Sequence, residues 1–356
     1  MKDRVSSTKP LAPEIIERAW KEYGDRRGIV ASENISANVS TNSVYRLVLS
    51  DGHEVIAKTT VYGSYVYFRQ DHRIVQQWIR RLADSRYRNF LARICEQEGG
   101  NIFTTHIGDT GVVFYEKTKF YDFLPKVLNL NQVKALGREM GEFHLATTKV
   151  APLLSKSWKS LGSDVAAFYD TLGSPSWKNE HGLEPGVEDA LRTQCDQFLT
   201  NAENLGYHQF KKIPVLVDWN IGNFSVGMDG DGFKFFSRWD YDWLRVEPRM
   251  MDFYFCARVV RAEGDQDSFS YTLDPFFEPR FIEFLREYHR SFPLEEEEVL
   301  FVKEAYRVFL LNYVMRIGEH FFRPEYCRRL QREAIDTYFP ALEKTDFRPL
   351  LRALRS

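Results

Sequence analysis

Cysteine is scarce in this chain of 356 residues, with four, at positions 95, 195, 256 and 327. None falls in a C-x-x-C pair, and the histidines form no ligand-spaced cluster with them. A structural zinc site or a disulfide framework is therefore not expected. Charge of one sign is lacking too: 48 Lys and Arg stand against 50 Asp and Glu, a formal net charge of -2. Neither nucleic acid nor an anionic membrane is an expected partner. No apolar run reaches the roughly 18 residues that a membrane-crossing helix needs. The opening stretch, MKDRVSSTKPLAPEII, has no apolar leader core, so a reducing cytoplasm is the expected setting.

What the chain does have is length for two lobes and a large apolar inventory. Hydrophobic residues make up 44% and aromatic residues 15%, with 28 Phe and 18 Tyr; such a share reads first as core. Residues 14–23 suggest a short leading helix, and ENISANVST a strand and its loop. SVYRLVLS and HEVIAKTTV then read as strands joined by an Asp-Gly hairpin turn. Apolar residues at 74, 75, 78, 79 and 82 give Asp71–Leu91 a helical stripe. NIFTTHI and GVVFYEK form a second hairpin around Gly108-Asp109. Beyond residue 120 helices take over. Val133, Leu136, Met140 and Phe143 share one face, with Asn131 as the expected N-cap. Gly137 and Gly141, four apart, would allow close helix approach. Residues 152–186, rich in Ser, Gly, Pro and Trp, read as a loop or lid excursion. Residues 187–204 and 296–322 read as helical, with the acids of 295–298 opening the second. The clear strand signals in this half are PVLV, NFSV and FKFFSRW, the last two flanking GMDGDG. The expected fold is α+β and bilobal, with a β-rich lobe over 1–117 and a mainly helical lobe over 118–356. A nucleotide would fit the cleft between them.

Phosphoryl transfer from ATP requires three things: a cation at the α/β-phosphates, oxygen ligands for Mg²⁺, and a carboxylate to take the proton of the attacking hydroxyl. Asp218 and Asn223, in LVDWNIGNF, have the D-x-x-x-x-N spacing of a kinase catalytic loop. That loop follows a strand and runs into a hairpin, and the returning strand ends at WDYD. Asp240 is thus carried back toward Asp218 and Asn223. In the first lobe EVIAK places Lys58 on a strand just past a tight turn. Ile56, on the same strand face, would cover an adenine ring.

These residues resemble the aminoglycoside phosphotransferase and choline kinase family, which has the protein-kinase-like fold. The resemblance spans roughly residues 30 to 260. It lies in LGREMGEFHLAT, in LVDWNIGN, and in RWDYDWLRVEPRMMDF. It implies an ATP- and Mg²⁺-dependent phosphotransferase acting on a hydroxyl of a small molecule such as a sugar, amino sugar, amino alcohol or antibiotic. Asp218 would be the base, Asn223 and Asp240 the metal ligands, and Lys58 the phosphate cation. Backbone groups near Glu116–Thr118 would receive the adenine, and Asp252 would pack at the base of the loop. Taken alone, Asp240 and Asp242 read equally well as solvated or N-capping acids, and His144 reads as a satisfied core histidine.

Two features depart from the family pattern. Leu216 stands where the family usually has His, and SANVSTN has no glycine. These departures support the alternative of a catalytically inactive, kinase-like protein that binds nucleotide or a protein partner. Lys58 is expected to pair with a carboxylate of the helix that follows it, where Asp71 and Asp84 are the candidates. The absence of D-F-G sets a protein kinase or nucleotidyl transferase last. For the acceptor, the mixed charge of 152–186 and the basic 306–332 stretch favour a neutral or anionic metabolite over a polycationic drug.

Overall fold

The computed structural model describes residues 12–36, 41–61, 63–174, 186–264 and 270–355. Its first lobe is a five-stranded antiparallel sheet in the order β1-β2-β3-β5-β4. The strands are Ile29–Asn34 (β1), Ser43–Leu49 (β2), Glu54–Thr60 (β3), Thr104–Ile107 (β4) and Thr110–Glu116 (β5). Both expected hairpins are present. Helix α1, Ala12–Tyr23, covers one face of the sheet. It buries Ile15, Ile16, Ala19 and Trp20 against Leu47, Val55 and Phe114.

Helix α2 spans Tyr65–Arg81, earlier at both ends than the apolar stripe suggested. Ser64 caps it by accepting the Val66 N–H (3.2 Å). The apolar residues beyond 81 are buried in irregular turns, which a helical stripe does not distinguish from helix. Trp78 packs on Phe143, with ring centroids 5.3 Å apart. The core of the second lobe therefore continues up to α2.

The second lobe is built on α3, Leu130–Val150. Its cap is Asn129 rather than Asn131, because Asn129 and Gln132 form a reciprocal capping box. Gly137 and Gly141 lie against α7 (Pro279–Ser291). The stretch read as an excursion contains helix α4, Leu161–Thr171, started by a Ser160–Ser163 box; residues 175–185 of it lie outside the described residues. Helix α5 follows at Val187–Asn204. Strands β7 (Phe224–Asp229) and β8 (Gly232–Arg238) fall where expected, whereas β6 is Lys212–Val215, two residues earlier than PVLV, because Leu216 and Val217 already belong to the irregular loop. A fourth, β9 (Arg245–Pro248), pairs with β6; as RVEP, it is too short to signal itself. Helix α6 is Phe253–Val260. Helix α8, Glu296–Val308, begins with Glu295 and Glu298 capping each other's backbone. It loosens into a π-helical segment at Phe309–Arg316, so 296–322 is not one regular helix.

Candidate active site

The segment between β6 and β7 is strained where chemistry would need it to be. Among the described residues only Val217 (φ 60°) and Asp240 (φ 70°) have positive φ without being glycine. For a β-branched residue such as valine this conformation is costly and persists only when neighbours enforce it. The enforcer is Asp252, whose Oδ1 accepts the Val217 N–H at 2.6 Å. Asp252 is itself held by His144, whose Nε2 lies 2.9 Å from Oδ2 while Nδ1 lies 2.8 Å from the Tyr288 hydroxyl. His144 and Asp252 are fully buried. His144 is thus the satisfied core histidine expected, and Asp252 sits at the base of the loop. Leu216 is buried, and its carbonyl accepts the Asp218 N–H (2.7 Å).

Arg238 completes the loop's frame, a role that sequence reasoning did not assign. It is buried at the end of β8 and donates to the carbonyls of Asp218 (2.7 Å), Asn223 (2.8 Å) and Trp239. Its signal in the sequence is a lone arginine in an otherwise apolar strand end, ambiguous without the partner. The Asn223 amide nitrogen donates to the Asp218 carbonyl (3.4 Å), which turns its oxygen the other way. The loop and the end of β8 are therefore one hydrogen-bonded unit carrying Asp218, Asn223 and Asp240.

Lys58 enters from β3, where it pairs with Val44 on one side and Val113 on the other. Its ammonium lies 2.9 Å from Asp240 Oδ1 and 2.7 Å from Asp242 Oδ1. The expected partner from α2 is not the one used. Asp71 pairs with Lys159 (2.6 Å), and Asp84 lies beyond the end of α2 and is exposed. Asp242 is likewise more than a solvated acid. It binds Lys58 and accepts from Asn42 Nδ2 at 2.5 Å. Asn42 belongs to the glycine-free SANVSTN segment, of which residues 37–40 lie outside the described residues.

The electrostatics follow from three carboxylates and one lysine in a partly buried place. Burial pushes Asp218 up to about 6, helped by the nearby Asp240 charge and opposed by Arg238. Burial and Asp240 also push Asp242 up. Burial works against the charge of Asp240, but Lys58 outweighs it and holds the carboxyl below its ordinary value. Lys58 is held above its ordinary value, because the two aspartates outweigh the cost of its burial. The cluster thus has more negative than positive charge, an arrangement that favours a further cation. Among the described residues no three His, Cys, Asp or Glu side chains gather to hold a metal alone.

The adenine side is less well matched. Ile56 is half-buried on β3, opposite Tyr115. Glu116 ends β5, is exposed, and gives its N–H to the Arg93 carbonyl (2.9 Å), so that donor is not available to a base. Thr118 is half-buried on the connector that follows.

No protein-family model and no curated protein sequence matches this chain. Solved structures do. An amicoumacin kinase in complex with AMP-PNP, Ca²⁺ and Ami is 17% identical, covers 90% of this chain and 91% of its own, and superposes with a TM-score of 0.56. A microcompartment-associated aminopropanol kinase is 17% identical over 96% and 98%, with a TM-score of 0.59. An ethanolamine kinase from Plasmodium vivax is 13% identical over 90% and 83%, with a TM-score of 0.56. The chain has the protein-kinase-like fold that these proteins share, over nearly its whole length. Among the described residues no helix is long and apolar enough to cross a membrane.

Proposed function

We propose that this protein is a phosphotransferase that moves the γ-phosphate of ATP to a hydroxyl of a small molecule, with Mg²⁺ as cofactor. One observation carries the reading. Lys58 from the first lobe meets Asp240 and Asp242 from the second at 2.9 and 2.7 Å, next to a loop that presents Asp218 and Asn223. The fold likeness to small-molecule kinases supports it. The cleft between 1–117 and 118–356 is the nucleotide site in this reading. Lys58 binds the α/β-phosphates. Ile56 covers the adenine, and backbone groups from Glu116 to Thr118, other than the Glu116 N–H, face its edge. Asn223 and Asp240 would hold Mg²⁺, which would supply positive charge against the negative charge developing on the transferred phosphoryl group.

Asp218 orients the acceptor hydroxyl and takes its proton. The hydroxyl oxygen forms a bond to the γ-phosphorus, the bond to the β-phosphate oxygen breaks, and ADP leaves. A carboxyl raised to about 6 is ionised at neutral pH, yet a stronger base than an ordinary aspartate. A cytoplasmic setting and a small hydroxyl acceptor belong to the same proposal.

The test is ADP release from Mg–ATP across a panel of hydroxyl metabolites, by the wild type and Asp218→Asn. Acceptor-dependent release that Asp218→Asn loses supports transfer. Nucleotide binding with no turnover on any acceptor supports the inactive alternative.

A further inference from the structure

The roles assigned so far leave Arg258 as a buried arginine with two nitrogens unmatched among the described residues. Arg258 lies on α6, six residues past Asp252, and is only 2% exposed. Among the described residues neither its Nε nor its Nη1 meets a hydrogen-bond acceptor. Other deeply buried arginines have acceptors on some of their nitrogens, although Arg238 Nε and Arg261 Nη2 are also unmatched among the described residues. Arg249 pairs with Glu298 (2.9 Å), Arg307 pairs with Glu304 (2.7 Å), and Arg238 binds backbone carbonyls. Arg258 instead rests on two aromatic faces, 5.3 Å from the Phe255 ring centroid and 5.0 Å from that of Tyr271. A ring face attracts the charge of a guanidinium but leaves its in-plane N–H groups unpaired. Buried donors are almost always paired, so an orphan of this kind points to a missing partner.

Its place in the fold says which partner. The start of α6 is fixed to the catalytic loop, since Asp252 holds the N–H of the residue before Asp218. Six residues along a helix are about 9 Å, so Arg258 stands within a small molecule's length of that anchor. The charge of Arg258 is among those that draw Asp218 down against its burial, and Tyr271 feels both groups. Arg258 thus packs on Tyr271 and lies near enough for its charge to act on Asp218. A planar guanidinium fork matches the oxygens of a carboxylate or phosphate, whereas an ammonium group placed against Arg258 would meet a like charge.

We infer that Arg258 receives an oxyanion carried by the acceptor, so that the hydroxyl compound phosphorylated here bears a carboxylate or phosphate of its own. This rests on the phosphotransferase reading above and narrows its substrate class.

Matched acceptors test it: glycerate against glycerol, gluconate against glucose, serine against ethanolamine, and glucose 6-phosphate against glucose. Each is followed by ADP release with Mg–ATP and, separately, by the melting temperature with Mg–ADP, for the wild type, Arg258→Gln and Arg258→Lys. The wild type is expected to favour the anionic member of at least one pair by tenfold or more in kcat/KM, or to be stabilised by it alone. The carboxylate and phosphate arms show which oxyanion is taken. Arg258→Gln is expected to cut the anionic-over-neutral ratio at least tenfold through KM, and Arg258→Lys less.

The inference is overturned if neutral or cationic members are preferred. It is also overturned if neither turnover nor melting separates the pairs, or if Arg258→Gln lowers kcat equally for every acceptor. The wild-type panel decides the matter even if Arg258→Gln does not fold. Failure of the phosphotransferase reading looks different: ADP release would be indifferent to Asp218→Asn.

Discussion

In the proposed reaction Asp218 is the residue on which the chemistry turns. Replacing it with Asn keeps the shape and removes the base. The expected outcome is a fall in turnover of about 10²–10⁴, the usual range for a lost general base, with Mg–ATP affinity nearly retained in a direct binding titration. Wild-type turnover in Asp218→Asn would end the catalytic-loop assignment. Because burial holds Asp218 up to about 6, kcat/KM should decline on the acid side through an apparent pKa near 6. The same shift has a consequence for stability. A raised carboxyl keeps its proton in the folded state after the unfolded chain has released it. Its contribution is therefore full at low pH and is lost as the pH rises through the folded value of about 6. Asp218→Asn escapes that loss. Its melting temperature relative to wild type should rise between pH 4 and 7, a trend that paired thermal scans would reveal or refute.

Among the elements, the contact of α3 with α7 sets how firmly the loop is backed. His144 on α3 and Tyr288 on α7 are both links in the chain that ends at Asp252 and Val217. A Cβ on Gly141 would stand 2.9 Å from the Tyr288 carbonyl and 2.7 Å from Ser291 Cβ. Helix propensity alone says that Gly141→Ala gains about 1 kcal/mol. The steric cost of forcing two packed backbones apart is about 1–3 kcal/mol, and the collision is with backbone that cannot swing away. Sterics should win, so Gly141→Ala is expected to lower stability in a urea titration. A more stable Gly141→Ala would mean that the helices separate at little cost.

For the molecule as a whole, the question is what joins the lobes. Lys58 and Asn42 from the first lobe bind Asp240 and Asp242 from the second. Thr41 adds a second join, giving its N–H to the Phe321 carbonyl (3.3 Å) and its hydroxyl to that of His320. In the proposed reading a nucleotide between Lys58 and Asp240 would take over the salt bridge, and the two aspartates would be left to hold a divalent cation. Mg–ATP should therefore raise the melting temperature in proportion to the logarithm of its concentration above Kd, and ATP with EDTA should do so much less. Lys58→Met is expected to lose most of that rise. Equal stabilisation with and without Mg²⁺ would refute the metal assignment to Asn223 and Asp240.

The local signals were legible because they are written in adjacent residues. The alternation of HEVIAKTTV, the hairpin turns at Asp51-Gly52 and GMDGDG, and the spacing of Asp218 to Asn223 each lie within one element or one turn. They placed the strands and the candidate site residues. Asp252 at the base of the loop and the burial of His144 were legible by resemblance and by helical face. The partners of these residues were not. Lys58 lies 182 residues from Asp240, and Asp252 lies 35 from Val217. No local pattern records which of several carboxylates a lysine will meet, so Asp71 and Asp84 were as available as Asp242. Packing settled it: α2 ends before Asp84, and Lys159 takes Asp71. Tertiary structure likewise decided that Arg238 frames the loop and that Arg258 is buried on two ring faces with its Nε and Nη1 unmatched among the described residues. An arginine's charge is in the sequence, whereas the water it loses and the groups it meets depend on the whole fold.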